Sequence, residues 1–409
     1  MRENYISRSV ARRCIVGLRT MRRQLLFAAL GVTAAIVLGA CAGSSVAGAD
    51  TLVIGHAAAL TGGLAPYDQP ALAGIQVAVD EINARGGVAG KYKIELRVKD
   101  MKSDPATAVT AAQELLDSGA QVLITVCDAD GSITSGKVAQ QRGVAAISTC
   151  STTPTVPTAV GNSMFLASVG DNAQAAVLAE YASKQGYKNA YLLGSPDTGY
   201  TKQMPGYFRV AFEKLGGSIA GEDNFSVGSQ DFGPQVTRIK GLNPQPDVIM
   251  TPAYVPDSST FMKQLRAAGV MIPVISTDGN DTPLFIEAGV DAVEGSVVST
   301  HGYPTPGSAL EAFYKLFNEK TGKVADTVFI ATGYDTIKVI EAAVTKAAST
   351  DGKKIRDAME NLQNVQGATA TISYSPGQHV PVKPVTLIKV EGGKFVFLGQ
   401  VTPKDVPAP

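Results

Sequence analysis

The sequence predicts an α/β protein built as two doubly wound parallel-sheet lobes, and three observations carry that expectation. Short apolar runs rich in β-branched residues alternate with amphipathic stretches of helical period. About eight such runs occur, more than one small sheet accommodates. The 409 residues are 45% hydrophobic, enough to bury two cores of ordinary domain size.

In chain order, strands are expected at TLVIGHAAA (51–59), IELRVKD (94–100), QVLITV (121–126), VAAIST (144–149), NAYLLGS (189–195), DVIMTPA (247–253), PVISTD (273–278) and EGSVVST (294–300). The intervening patterns predict helices over 70–85, 105–118, 132–142, 171–185, 201–215, 256–268 and 307–320. Strands joined through helices imply parallel sheets covered on both faces. The end of the chain differs. ATATISYSPG reads as a short strand, and KPVTLIKVEGGKFVFL as a hairpin turning at Gly392-Gly393. Ligands of doubly wound sheets lie beyond the carboxyl ends of the strands. Six polar loops follow such ends: residues 60–69, 127–132, 148–154, 195–200, 252–258 and 276–281.

Residues 1–41 read as a signal peptide. They hold seven Arg and one acid, and the 16-residue apolar run Leu25–Ala40 is short for a membrane span and suited to a signal core. Met21, directly before Arg22-Arg23, is an alternative start. Leu38-Gly39-Ala40-Cys41 resembles a lipobox, which would make Cys41 the lipidated first residue of the mature chain. Ala47-Gly48-Ala49 offers an ordinary cleavage site instead, but the lipobox abuts the apolar run and is preferred. The protein is therefore expected in the periplasm or another extracytoplasmic space, touching a membrane only through that lipid.

The chain has 36 basic and 36 acidic residues; without residues 1–41 it keeps 29 and 35, a net charge of −6. Such a body has no electrostatic footprint for nucleic acid. Beyond the leader, Cys127 and Cys150 form an even pair that suits either one disulfide or two buried thiols. Gly131 to Lys137 (GSITSGK) imitates a phosphate loop, but Val138 stands where the magnesium-binding hydroxyl belongs. No cofactor is expected. His56, His301 and His379 form no HExxH and no metal-spaced cluster, and no G-x-S-x-G elbow occurs, so neither a metal site nor an enzyme has support. His56 and His301 fall near strand ends and could touch a cleft; a solvated loop position is the simpler reading.

Several longer stretches are more specific. They are Leu60-Thr61-Gly62, Ala65-Pro66-Tyr67, Gly74, the run AVDEINARGGVAG (78–90), Asp104-Pro105 after the second strand, and QLRAAG (264–269). On these the chain resembles the leucine/isoleucine/valine-binding proteins, the substrate receptors of ABC-type amino-acid importers, across nearly all of 51–400. The resemblance implies a type I periplasmic binding fold, with three hinge crossovers near 168–170, 298–301 and 373–376. Lobe 1 would hold 51–168 and 301–373, and lobe 2 would hold 169–299 and 376–403. A small ligand closes the lobes, a membrane permease reads the closed form, and the receptor works as a monomer without chemistry.

Carried over residue by residue, the resemblance places Asp128, Ala129 and Asp130 with Cys150, Ser151 and Thr152 at the positions that hold an amino acid's carboxylate and ammonium. Tyr200 and Tyr254 match lobe-2 residues facing the ligand, and Asp278 occupies the place of the acid that pairs with the ammonium. Leu64, Ala65 and Tyr67 match the wall beside the ligand's side chain. Two departures bear on ligand identity. Asp128-Ala129-Asp130 replaces a serine-rich loop, so two acids stand where a carboxylate would bind, and Asp278 is one methylene shorter than the usual glutamate. The family's disulfide would need a cysteine near Ser103; Cys127 paired with Cys150 would join two pocket loops instead. The expected function is capture of an aliphatic amino acid or similar small polar molecule for an importer. A sensor of an amide, urea-like or aromatic compound is the alternative, with a secreted α/β hydrolase behind it.

Overall fold

The apolar runs pair into two sheets in the computed structural model, which describes residues 51–409 apart from Ala288. The leader, with Met21 and Cys41, lies outside the described residues. The first sheet collects β1 (Thr51–Ala58), β2 (Lys93–Asp100), β3 (Val122–Thr125), β4 (Ala145–Ser148) and β5 (Met164–Leu166) in the order β2-β1-β3-β4-β5, all parallel. Its connections are α1 (Ala65–Ala84), α2 (Pro105–Asp117), α3 (Ala129–Arg142) and α4 (Val156–Val160).

The chain then passes through α5 (Asp171–Lys184), β6 (Asn189–Gly194), α6 (Gly199–Lys214), β7 (Ser218–Asn224), α7 (Gly233–Gly241), β8 (Val248–Thr251), α8 (Asp257–Ala267) and β9 (Val274–Ser276). Short helices α9 (Pro283–Glu287) and α10 (Val290–Val293) lead into β10 (Val297–Thr300). It returns for α11 (Ala309–Thr321), α12 (Phe329–Ala347), α13 (Gly352–Met359) and the small pair β11 (Val365–Gln366) and β12 (Thr371–Ile372). The hairpin β13 (Val385–Glu391) and β14 (Lys394–Val401) completes the second sheet, ordered β14-β13-β10-β9-β8-β6-β7. Only β10 with β13 and β13 with β14 run antiparallel there. Gly392 and Gly393 both have positive φ, as the tight hairpin turn requires.

Both sheets are covered on two faces, which is why their central strands β3, β4, β8, β9 and β10 are buried throughout, while β2, β7 and β14 at the edges carry charged and exposed residues. Leu52, Ile54, Val122 and Ile147 pack against α1, α12 and α13, while Ala57, Leu123 and Ala146 face α2 and α3. In the second sheet Leu192 and Met250 pack on α5 and α6, and Ile249 and Val274 on α7 and α8. Residues 374–383 still lie along β5: the Tyr374 hydroxyl donates to Leu166 O at 2.7 Å and Lys383 Nζ to Ala167 O at 3.0 Å. The third passage between sheets therefore comes near Lys383–Val385, later than the 373–376 expected.

Two helices begin earlier than their periodicity suggests. α1 starts at Ala65 because Pro66 sits in the first turn, where a missing N–H costs nothing. α3 starts at Ala129, capped by Asp128, whose carboxylate accepts the Gly131 N–H at 2.9 Å. β5, β7, α7, α12 and α13 were not expected. α12 is diluted in helix formers by Ile, Val and Thr and by Gly333, and it forms because one face is buried from Phe329 to Val344.

That buried face meets α1 at unusually close range. A Cβ on Gly74 would overlap the Ile330 carbonyl, and one on Gly333 the Ala71 carbonyl. Gly333→Ala should therefore lower the unfolding free energy by about 1–3 kcal/mol, read by urea denaturation. Gly206→Ala, in α6 with open space around it, should be neutral or slightly stabilising. Equal effects of the two would refute the close-packing account.

Candidate ligand-binding cleft

The carboxyl ends of the two sheets face one another across a cleft. From the first sheet come Leu64 and Tyr67 at the start of α1, Cys127 to Ala129 after β3, and Cys150 to Thr153 after β4. The second sheet contributes Thr198 and Tyr200 at α6, Tyr254 after β8, and Asp278 and Gly279 after β9. Phe329, first residue of α12, completes a space of about 460 Å³ that continues into solvent. The two sides touch directly: the Tyr67 hydroxyl donates to Gly279 O at 3.0 Å, and Gly199 N–H to Asp130 at 3.4 Å. Thr155 and Gln203 meet at 3.3 Å.

Ten of the twelve expected positions line this space: Leu64, Tyr67, Asp128, Ala129, Cys150, Ser151, Thr152, Tyr200, Tyr254 and Asp278. Ala65 and Asp130 do not. Ala65 is taken into the first turn of α1, and Asp130 reaches across to the Gly199 N–H. Asp128 is occupied as a helix cap, so the two acids expected to repel a bound carboxylate are both engaged by backbone N–H groups. Phe329, Thr153, Thr198 and Gly279 were not anticipated.

Asp278 is the chemical centre of the second wall. Its side chain is buried, with Oδ1 accepting from Gln174 Nε2 at 2.8 Å and from the Tyr200 hydroxyl at 3.2 Å. His301 Nε2 lies 3.3 Å from Oδ2. Gln174 is itself held by the Ser299 hydroxyl at 2.7 Å, and Tyr200 also bonds Thr277. His301 is thus a buried neighbour of the cleft and no solvated loop residue. His56 is buried too, inside β1, and burial holds its imidazole down at about 3. Across the cleft the Ser151 hydroxyl is buried and has no hydrogen-bond partner among the described residues. Among the described residues the lining carries no Lys or Arg.

Cys127 and Cys150, ending adjacent strands with Cα atoms 4.7 Å apart, are joined as a disulfide on the cleft wall. Beneath it Asp68 accepts the Ala59 N–H at 2.5 Å and the Cys127 N–H at 2.9 Å, and burial pushes its carboxyl up to about 7.

Asp171, at the start of α5, shows how acids are kept at this seam. Burial pushes its carboxyl up to about 8; the hydroxyls of Thr152 and Thr153 oppose that shift and the charge of Asp278 adds to it. Between 3.8 and about 8 the folded chain holds a proton that the unfolded chain has released, so this group's contribution to stability falls as pH rises through that window. Asp171→Asn stays neutral. Its melting temperature relative to the parent should rise between about pH 5 and about pH 8 in calorimetry. A constant difference would show that Asp171 is not the group responsible.

Comparison with known proteins agrees with this architecture. Residues 51–394 match the family model for periplasmic binding proteins. The Leu/Ile/Val-binding protein BraC3 of Rhizobium johnstonii is 26% identical over 347 residues, spanning 84% of this chain and 93% of that protein. A leucine-binding protein of Thermotoga maritima superposes with a TM-score of 0.80 at 27% identity, covering 86% of this chain and 99% of that one. A branched-chain amino acid transporter substrate-binding protein of Streptococcus pneumoniae, solved with isoleucine, gives 0.80 at 25% identity over 87% of this chain and all of its own. The chain belongs to the periplasmic binding protein family.

Proposed function

We propose that this chain is the extracytoplasmic receptor of an ABC importer and captures, without altering it, an amino acid with an apolar side chain. The observation that carries this reading is the pairing of a buried carboxylate, Asp278, with an unpartnered hydroxyl, Ser151, on opposite walls of one cleft. An ammonium suits the first and a carboxylate the second. Leu64, Tyr67, Tyr254 and Phe329 supply an apolar surface beside them, with Tyr67 and Phe329 edge to face at 5.2 Å. The isoleucine held by the Streptococcus relative supports the same class. In this reading the leader exports the chain, Cys41 anchors it, and a monomer delivers its ligand to the permease. Ligand binding draws the lobes together, and the closed form is the one the permease recognises.

An aromatic acid such as benzoate fits less well. It carries no ammonium, so the buried Asp278 would face a ligand that cannot pair with it. Isothermal titration of the purified protein with L-leucine, L-isoleucine, L-valine, urea and benzoate separates these readings. The branched-chain amino acids should bind, and Asp278→Asn should weaken them by about 10- to 150-fold, the worth of a charge-assisted hydrogen bond. Unchanged affinity in that variant would remove Asp278 from the site; benzoate or urea binding in place of the amino acids would overturn the ligand class.

A further inference from the structure

The wall of the cleft contains a disulfide facing the space between the two sheets. Cys127 follows β3 and Cys150 follows β4, and both line the cleft. Cys127 is partly exposed, whereas Cys150 is 4% exposed. Behind the bond the protein is closed: Asp68, fully buried, holds the Cys127 N–H, and the Thr149 hydroxyl touches both sulfurs at 3.2 Å. A reagent therefore reaches the sulfurs from the cleft side. Tyr254 and Gly279 of the opposite wall line the same cleft, and the Tyr67 hydroxyl of the first wall donates to Gly279 O.

We infer that Cys127–Cys150 is a ligand-gated thiol–disulfide exchange site, open to small thiols when the cleft opens and shielded when ligand closes it. The inference rests on the cleft being the ligand site. A low-molecular-weight thiolate attacks one sulfur, forms a mixed disulfide and releases the other cysteine as a thiolate. A second small thiolate attacks the small-thiol sulfur of the mixed disulfide and expels the remaining cysteine as a thiolate; both cysteines take up protons, and the two small thiols leave joined as one disulfide. Two electrons pass from the small thiols to the protein. The separated sulfurs must move to van der Waals distance, and the backs of both loops are fixed. The movement is taken up by the segments Cys127–Ala129 and Cys150–Thr153, which form the cleft wall. Reduction therefore weakens ligand binding, and by linkage bound ligand disfavours reduction to the same degree.

The test is differential alkylation at Cys127 and Cys150, read by mass spectrometry on the full chain in dithiothreitol and EDTA, with L-isoleucine as probe. Saturating L-isoleucine should slow reduction at least about tenfold, and the reduced protein should bind it more weakly in titration. Circular dichroism of the reduced protein, alongside the double variant C127S/C150S, separates weaker binding from unfolding. A ligand-independent arm uses Tyr67→Phe, which removes one closing hydrogen bond and should speed reduction about fivefold without any ligand. Cysteines that alkylate before any reductant is added, or a reduction rate that neither L-isoleucine nor Tyr67→Phe changes, would overturn the inference. If L-isoleucine does not bind at all, the amino-acid reading falls, and Tyr67→Phe alone decides the gating.

Discussion

The cleft depends on holding one carboxylate inside a seam between two sheets. A buried, unpaired charge costs several kcal/mol, so Asp278 is tolerable only where donors converge on it. They come from two separate parts of the chain, Gln174 from α5 and Tyr200 from α6, with the His301 ring 3.3 Å away after β10. Each is held in turn, Gln174 by Ser299 and Tyr200 by Thr277. The second wall is therefore preorganised. Its carboxylate is held in one position, and a side chain already fixed loses little conformational entropy on meeting a partner.

The first wall owes its shape to backbone proximity. Because Gly74 and Gly333 have no Cβ, α1 and α12 approach until helix backbone meets helix backbone. That approach sets Phe329, at the start of α12, against Tyr67 in the first turn of α1. Tyr67 then reaches Gly279 on the other side. One side chain thus belongs to the aromatic surface and to the contact that closes the cleft, so packing in the first lobe is coupled to closure against the second.

Most of this was legible from sequence because the rule that places ligands at strand ends is topological. Every lining residue except Phe329 falls in one of the six loops read off the strand pattern. Phe329 escaped because α12 enters from a segment that follows no strand of its sheet, and only the tertiary approach of α1 and α12 brings it in. The simpler reading of His301 as solvated does not hold, since position near a strand end does not reveal that Phe329 of α12 packs against it. Asp128 posed a different difficulty. An acid between a strand and a helix is equally suited to a ligand and to an N-cap, and only the helix start at Ala129 shows that the cap has claimed it.

That distinction changes what the acids of the cleft can select. Read as free charges, Asp128 and Asp130 would have argued against any carboxylate ligand. Engaged with the Gly131 and Gly199 N–H groups, they leave Asp278 as the buried carboxylate of one wall, opposite the Ser151 hydroxyl of the other. A zwitterion satisfies both walls. A second carboxylate on the ligand's side chain would meet Leu64, Tyr67, Tyr254 and Phe329 with no Lys or Arg among the described lining residues to receive it. A cationic side chain would meet the same apolar wall, although ring faces could partly compensate. Under the proposed function, discrimination would therefore come less from the contacts with the amino-acid head than from the groups a side chain would leave unpaired.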